Sequence, residues 1–170
     1  MGCRFFASKV ALEPPWVTPV FAPRLTPYHR NAFKRGVQLP QPRIVLADDH
    51  PEILDALSSI LKDVGEVVER VTDGLALVEA VDRLKPDIVI TDLSMPGLNG
   101  LEATRVLRRN VPGSKIIILT VHRAAMYVSV AFDAGASGYV LKLSAAAELP
   151  QAVLQVLEGN GYIGQGVEKR

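Results

Sequence analysis

Cysteine is nearly missing from this chain: Cys3 is the only one in 170 residues. It cannot form an internal disulfide, and no metal-type cysteine spacing exists, so a reducing compartment is the natural setting. Also missing is any apolar run approaching the roughly 20 residues that span a bilayer. The stretch from Phe5 to Leu12 is interrupted by Lys9 and closed by Glu13-Pro14-Pro15, too short and broken for a signal peptide. Met-Gly-Cys at the start lacks the Ser or Thr that myristoylation wants at the sixth position, where Phe6 stands. A dominant charge is lacking too, since the net charge of +1 names no partner. Together these gaps lead one to expect a soluble, cytoplasmic protein with no membrane contact.

The near-neutral total conceals two kinds of sequence. Residues 1–42 hold six of the 19 basic residues (Arg4, Lys9, Arg24, Arg30, Lys34, Arg35) but only Glu13 of the 18 acidic ones, leaving 13 basic and 17 acidic residues for 43–170. The first stretch also carries seven of the twelve prolines, with no helical or strand period between them. Proline removes backbone donors and favours extended, solvated chain, so 1–42 reads as a disordered, Pro-rich basic leader. Its scattered charges form no nucleic-acid pattern.

From Arg43 the pattern becomes regular. Ile44 to Ala47 is an apolar strand that runs into Asp48-Asp49-His50, and Pro51 suits the first turn of a helix. Ile53, Leu54, Leu57, Ile60, Leu61 and Val64 recur at helical spacing until Gly65. Glu66 to Thr72 reads as a second strand, and Leu75, Leu77, Val78, Val81 and Leu84 as the buried face of a second helix ending before Pro86. Ile88 to Ile90 lead to Asp92, where Met95-Pro96-Gly97 and Asn99-Gly100 break the strand. A third helix follows over 100–109, then a fourth strand over 115–120, a helix over about 123–133, a short strand at Tyr139-Val140-Leu141, and a last helix over 146–157 with Leu149, Val153, Val156 and Leu157 inward. Five βα repeats with continuous apolar strands imply an α/β fold whose parallel five-stranded sheet is covered on both faces. The flavodoxin-like order 2-1-3-4-5 is the candidate, as a single domain over 43–160.

What the strands deliver at their carboxyl ends is the functional signal: Asp48 and Asp49, then Asp92, Thr120 and Lys142. Clustered carboxylates persist at neutral pH when a cation lies between them, and an all-oxygen site points to Mg²⁺. A magnesium ion there would hold a phosphoryl group, Lys142 would neutralise its remaining charge, and Thr120 would donate to one of its oxygens. Gly97-Leu98-Asn99-Gly100 lacks nucleotide-loop spacing and reads as turn chemistry.

Asp48-Asp49-His50-Pro51, Asp92-Leu93-Ser94-Met95-Pro96-Gly97, Leu119-Thr120-Val121-His122 and Ala134-Gly135-Ala136-Ser137-Gly138-Tyr139 resemble a response-regulator receiver domain of two-component signalling. The wording is that of the subfamily that usually precedes a LuxR-type helix-turn-helix. The resemblance implies that Asp92 accepts phosphate from a histidine kinase or phosphotransfer protein. It also implies that Asp49 ligates the metal directly, Asp48 directly or through water, and Ser94 through its backbone carbonyl. Thr120 and Tyr139 match the family's switch pair, which reports phosphorylation to the face built from the fourth helix, fifth strand and fifth helix, where a homodimer or an effector would bind. His50 is a common flank of the acidic pair, and neither it nor His122 is expected to be a catalytic base.

Two departures qualify this expectation. Many receivers place Ala after the switch Thr, whereas Val121 stands here and predicts a more shielded phosphoryl group. After Gly161 only Tyr162 to Arg170 remain, too few for a helix-turn-helix, so the chain is expected to be a stand-alone receiver or a truncated regulator without DNA-binding output. Residues 161–170, with Gly164 and Gly166, suit a frayed tail. The main expectation is a phosphorylation-dependent switch that is no enzyme apart from self-catalysed phosphoryl acceptance and loss. The competing ones are a constitutive interaction module and an aspartyl-phosphate phosphatase; against the last, Ser94 stands where such enzymes want a second acid.

Overall fold

Buried strands need apolar residues on both sides, and four of the strands here supply them in runs, whereas the edge strand Glu66–Val71 carries Glu66, Glu69 and Arg70. The computed structural model describes residues 41–168. Along them run β1 (Arg43–Ala47), α1 (Pro51–Leu61), β2 (Glu66–Val71), α2 (Gly74–Leu84), β3 (Ile88–Thr91), α3 (Gly100–Asn110), β4 (Lys115–Thr120), α4 (Ala125–Ala134), β5 (Gly138–Leu141), a 3₁₀ turn (Lys142–Ser144), α5 (Ala145–Leu157) and β6 (Tyr162–Ile163). The leader expected over 1–42 lies, but for its last two residues, outside the described residues.

All pairings are parallel, in the order β2-β1-β3-β4-β5-β6, the flavodoxin-like order with one strand added. Alternate strand residues feed two layers. Val45, Val89, Ile116, Ile118 and Tyr139 pack with Leu77, Val81, Ala103, Leu107 and Ala131 of α2, α3 and α4. Ile44, Leu46, Ile88, Ile90, Ile117 and Leu119 pack with Leu54, Leu57, Leu61, Leu149, Val153 and Val156 of α1 and α5. Each buried Leu or Ile contributes roughly 1.5–3 kcal/mol of transfer free energy, so the sandwich fixes the strands before any polar group is considered.

The helix starts aim the loops. Asp73 caps α2 by accepting from the Leu75 and Ala76 amides at 3.0 and 2.8 Å. Asn99 and Glu102 form a reciprocal capping box on α3. Gly100, the first residue of α3, must be glycine: a Cβ there would stand 1.9 Å from the Asp92 carbonyl oxygen. That approach lets the Gly100 amide donate to the Leu93 carbonyl at 3.0 Å, folding the loop back against the strand end that carries Asp92.

Three expectations are corrected. Leu75 is 59% exposed, because it stands four and seven residues before the exposed Glu79 and Asp82, on the face of α2 opposite the buried Gly74, Leu77 and Val81. Leu157, the last residue of α5, is 36% exposed, whereas Val156 beside it is buried. Within the tail expected over 161–170, the described residues are instead ordered: the Tyr162 amide donates to the Ser137 carbonyl at 3.1 Å and the Gly164 amide to the Tyr139 carbonyl at 2.8 Å, adding β6 to the sheet edge. Backbone partners supply that order, and backbone partners leave no pattern in side-chain composition.

Candidate functional site

Because the strands are parallel, their carboxyl ends lie along one rim of the sheet. Ala47 pairs with Thr91, and Thr120 with Leu141, so Asp48, Asp92 and Lys142 each follow directly on a paired strand end, and Thr120 is itself one. Asp48 and Asp92 are 1% and 6% exposed, and Thr120 is fully buried. Asp49 and His50 stand exposed beside them.

Lys142 ties the rim together. Its ammonium lies 2.8 Å from Asp92 Oδ2 and 2.6 Å from Asp48 Oδ2, drawing the ends of β1, β3 and β5 onto one nitrogen. Burial by itself would lower the lysine's pKa, but its contacts with the two carboxylates outweigh this, and the net shift is upward. The other Asp92 oxygen, Oδ1, accepts the Leu93 amide at 2.6 Å. Sequence reading missed that contact, which involves no side chain of Leu93. Asp48 Oδ2 is buried and, its ion pair with Lys142 apart, has no hydrogen-bond partner among the described residues.

A second polar knot lies beside the first. His50 Nδ1 is 2.8 Å from Asp49 Oδ1 and 3.3 Å from Asp48 Oδ1, which also faces the His50 amide at 3.1 Å. The charge of Asp49, then the hydrogen bond with Asp48, raise the imidazole's pKa above its ordinary value. Ligand atoms of Asp48, Asp49 and His50 all fall within 4.8 Å of one another. Hard carboxylate oxygens, one of them buried without a directed donor, fit a divalent cation. Ser94, expected to lend its carbonyl, lies exposed on the loop between β3 and α3.

The expected switch pair meets at the loop after β4. Thr120 Oγ1 accepts the His122 amide at 3.3 Å, and the Tyr139 hydroxyl donates to the His122 carbonyl at 2.9 Å. Tyr139 is fully buried, its ring inside the α2–α4 layer. Burial, then the charges of Tyr127 and Asp92, push its phenol up to about 12. The His122 ring stacks on Tyr127 with centroids 4.4 Å apart. His122 thus serves this loop through its backbone and ring face.

Residues 44–154 match the model of the response regulator receiver domain. The chain belongs to that family. The receiver is 39% identical over 123 residues to the transcriptional regulatory protein DegU of Brevibacillus brevis, covering 71% of this chain and 52% of that protein. It is 40% identical over 124 residues to the oxygen regulatory protein NreC of Staphylococcus carnosus strain TM300, covering 71% and 57%. The chain therefore spans little more than half the length of these relatives. Among solved structures, a LuxR-family two-component response regulator from Aurantimonas sp. SI85-9A1 superposes with a TM-score of 0.72 at 36% identity, over 75% of this chain and 92% of that one. The isolated receiver domain of RcsB from Salmonella enterica serovar Typhimurium, solved with the phosphomimetic BeF₃⁻, gives 0.69 at 30% identity, over 75% and 96%. These relatives agree with the LuxR-type wording of the receiver's motifs. No helix among the described residues is long and apolar enough to cross a membrane.

Proposed function

We propose that this receiver is a phosphorylation-dependent signalling switch in which Asp92 accepts a phosphoryl group from the phosphohistidine of a histidine kinase or phosphotransfer protein. The observation that carries this reading is the Lys142 ammonium held between Asp92 and Asp48, a fixed positive charge beside an oxygen nucleophile on a rim of acids. In the transfer, an Asp92 carboxylate oxygen forms a bond to phosphorus as the donor's N–P bond breaks, and the departing imidazole takes up a proton. Loss is the reverse in kind: water takes the phosphoryl group and the carboxylate is released.

Each remaining residue has an electrostatic or positioning task. The Leu93 amide holds Oδ1, which orients the carboxylate and leaves Oδ2 toward Lys142. Lys142 exchanges its carboxylate partner for phosphoryl charge as the bond forms. Thr120, once its hydroxyl turns to the rim, donates to a phosphoryl oxygen. Asp48, Asp49, Asp92 and the Ser94 carbonyl would hold Mg²⁺, which when bound neutralises the carboxylates and the incoming phosphoryl oxygens. Output passes through protein contacts of the α4-β5-α5 face, to an effector or a second copy, and the setting is the cytoplasm.

The test is direct. The protein incubated with Mg²⁺ and acetyl phosphate should gain one phosphoryl mass on Asp92, and Asp92→Asn should gain none. An unmodified wild type would sink the proposal in favour of a constitutive interaction module, and sustained turnover of varied phosphate esters would favour a phosphatase.

A further inference from the structure

One carboxylate away from the rim is nearly as buried as those on it. Glu148, in the first turn of α5, is only 9% exposed. Its Oε2 accepts the Gln165 amide at 3.0 Å and faces the Tyr162 hydroxyl at 3.3 Å. Both partners belong to the segment after α5, and a carboxylate is carried this far from water only where such donors meet it. Gly164 completes the fit, since a Cβ there would stand 2.6 Å from the same oxygen.

The segment has a defined course. Tyr162 and Gly164 pair with the Ser137 and Tyr139 carbonyls along β5. Gly166, with φ of +82°, turns the chain beside Leu141, and Val167 packs against the layer that contains Tyr139 and Leu141. The Glu168 amide then donates to the Arg123 carbonyl at 2.8 Å. Residues 162–168 are thus a strap along β5, fastened midway by Glu148 and at its far end to the loop after β4. Thr120 and Tyr139 hold that same loop, through the amide and carbonyl of His122.

We propose that the 162–168 strap is a clasp, closed on the unphosphorylated receiver and released when Asp92 carries a phosphoryl group, with the Arg123 carbonyl as the point of release. The proposal rests on reading Asp92 as the phosphoacceptor. A Thr120 hydroxyl that turns to a phosphoryl oxygen shifts the His122 amide it now accepts. The Arg123 carbonyl, one residue along, moves with it and withdraws from Glu168. The clasp is built to open at small cost: β6 has two residues, and Ile163 on it is 56% exposed. A weakly held element fastened to a moving loop turns a small shift into a change of state. Linkage then runs both ways, so loosening the strap must favour the phosphoryl-bearing state by the same factor.

Hydrogen exchange of the full chain, with Mg²⁺ and beryllofluoride as phosphoryl mimic, tests this. Exchange over 162–168 should rise about tenfold or more when beryllofluoride binds, while α5 stays protected and Asp92→Asn shows no change. Glu148→Ala, and the milder Gly164→Ala should the first fold poorly, should each tighten beryllofluoride binding about fivefold. Beryllofluoride bound to a strap of unchanged protection, or bound no more tightly by the strap variants, overturns the clasp and leaves the Asp92 reading standing. Failure of both beryllofluoride binding and the acetyl phosphate adduct overturns the Asp92 reading, and the clasp with it.

Discussion

Ile90 and Asp92 are two residues apart, 1% and 6% exposed, yet they belong to regions built on opposite terms. Ile90 sits in a layer of buried apolar side chains, whose packing favours the folded state. Asp92 sits where burial penalises the charge, and Lys142 and the Leu93 amide offset that penalty only while both stay in place. Stability is therefore concentrated below the rim and the proposed reactivity on it, and damage to each should read out differently. Ile90→Ala should cost about 3–5 kcal/mol in denaturant unfolding and leave phosphoryl acceptance intact at temperatures where the variant remains folded. A folded Ile90→Ala variant that took up no phosphoryl group from acetyl phosphate would break the separation.

The rim's own weak point is Lys142. Lys142→Ala leaves Asp48 and Asp92 facing one another without a counter-charge, which should cost about 2–3 kcal/mol at neutral pH without metal. Millimolar Mg²⁺ should recover part of that loss, whereas it should recover nothing for Ile90→Ala. Equal Mg²⁺ responses in the two variants would show that the acids do not form the cation site proposed for them.

Tyr139 belongs to both regions, its ring in the core and its hydroxyl on the switch loop. The fold favours its protonated phenol, whose pKa is pushed up to about 12 from the ordinary 10. That contribution is complete below the unfolded value and is lost as pH rises toward the folded one. Denaturant unfolding from about pH 9 to about pH 12 should show stability falling, with a shallower fall in Tyr139→Phe. Identical slopes would mean that the ring is less enclosed than its burial implies.

The two regions also differed in how far sequence could disclose them. The interior was legible because its apolar runs have the period of strands and helices, and those runs placed β1 to β5 and α1 to α5 in order. The acids, Thr120 and Lys142 were legible because each run stops abruptly on a polar residue, and parallel topology carries all such stops to one rim. Leu75 was misassigned because its apolar side chain outweighed its position, which shares the outer face of α2 with Glu79 and Asp82. β6 was missed because Ser137 and Tyr139 hold it through their carbonyls. Glu148 escaped notice because its charge outweighed its spacing, which four residues before Ala152 and eight before Val156 is that of the inner face, and its donors come from the returning chain. The tie of His50 to Asp49 was likewise hidden, since adjacency in sequence does not fix which way an imidazole turns.

Val121 gives the smallest effect and the finest division between the regions. It follows Thr120 directly, is 67% exposed and belongs to neither core layer. Val121→Ala should accordingly leave stability within about 0.5 kcal/mol of wild type. The shielding expected of Val121 concerns the phosphoryl group proposed on Asp92, and a shield adding about 0.6 kcal/mol to the barrier for water slows decay about threefold. The decay of phosphorylated wild type, followed by mass beside Val121→Ala, should therefore be the slower of the two. Equal decay would place the shielding elsewhere on the rim, and a loss of stability in Val121→Ala would show that Val121 and the core are not separate after all.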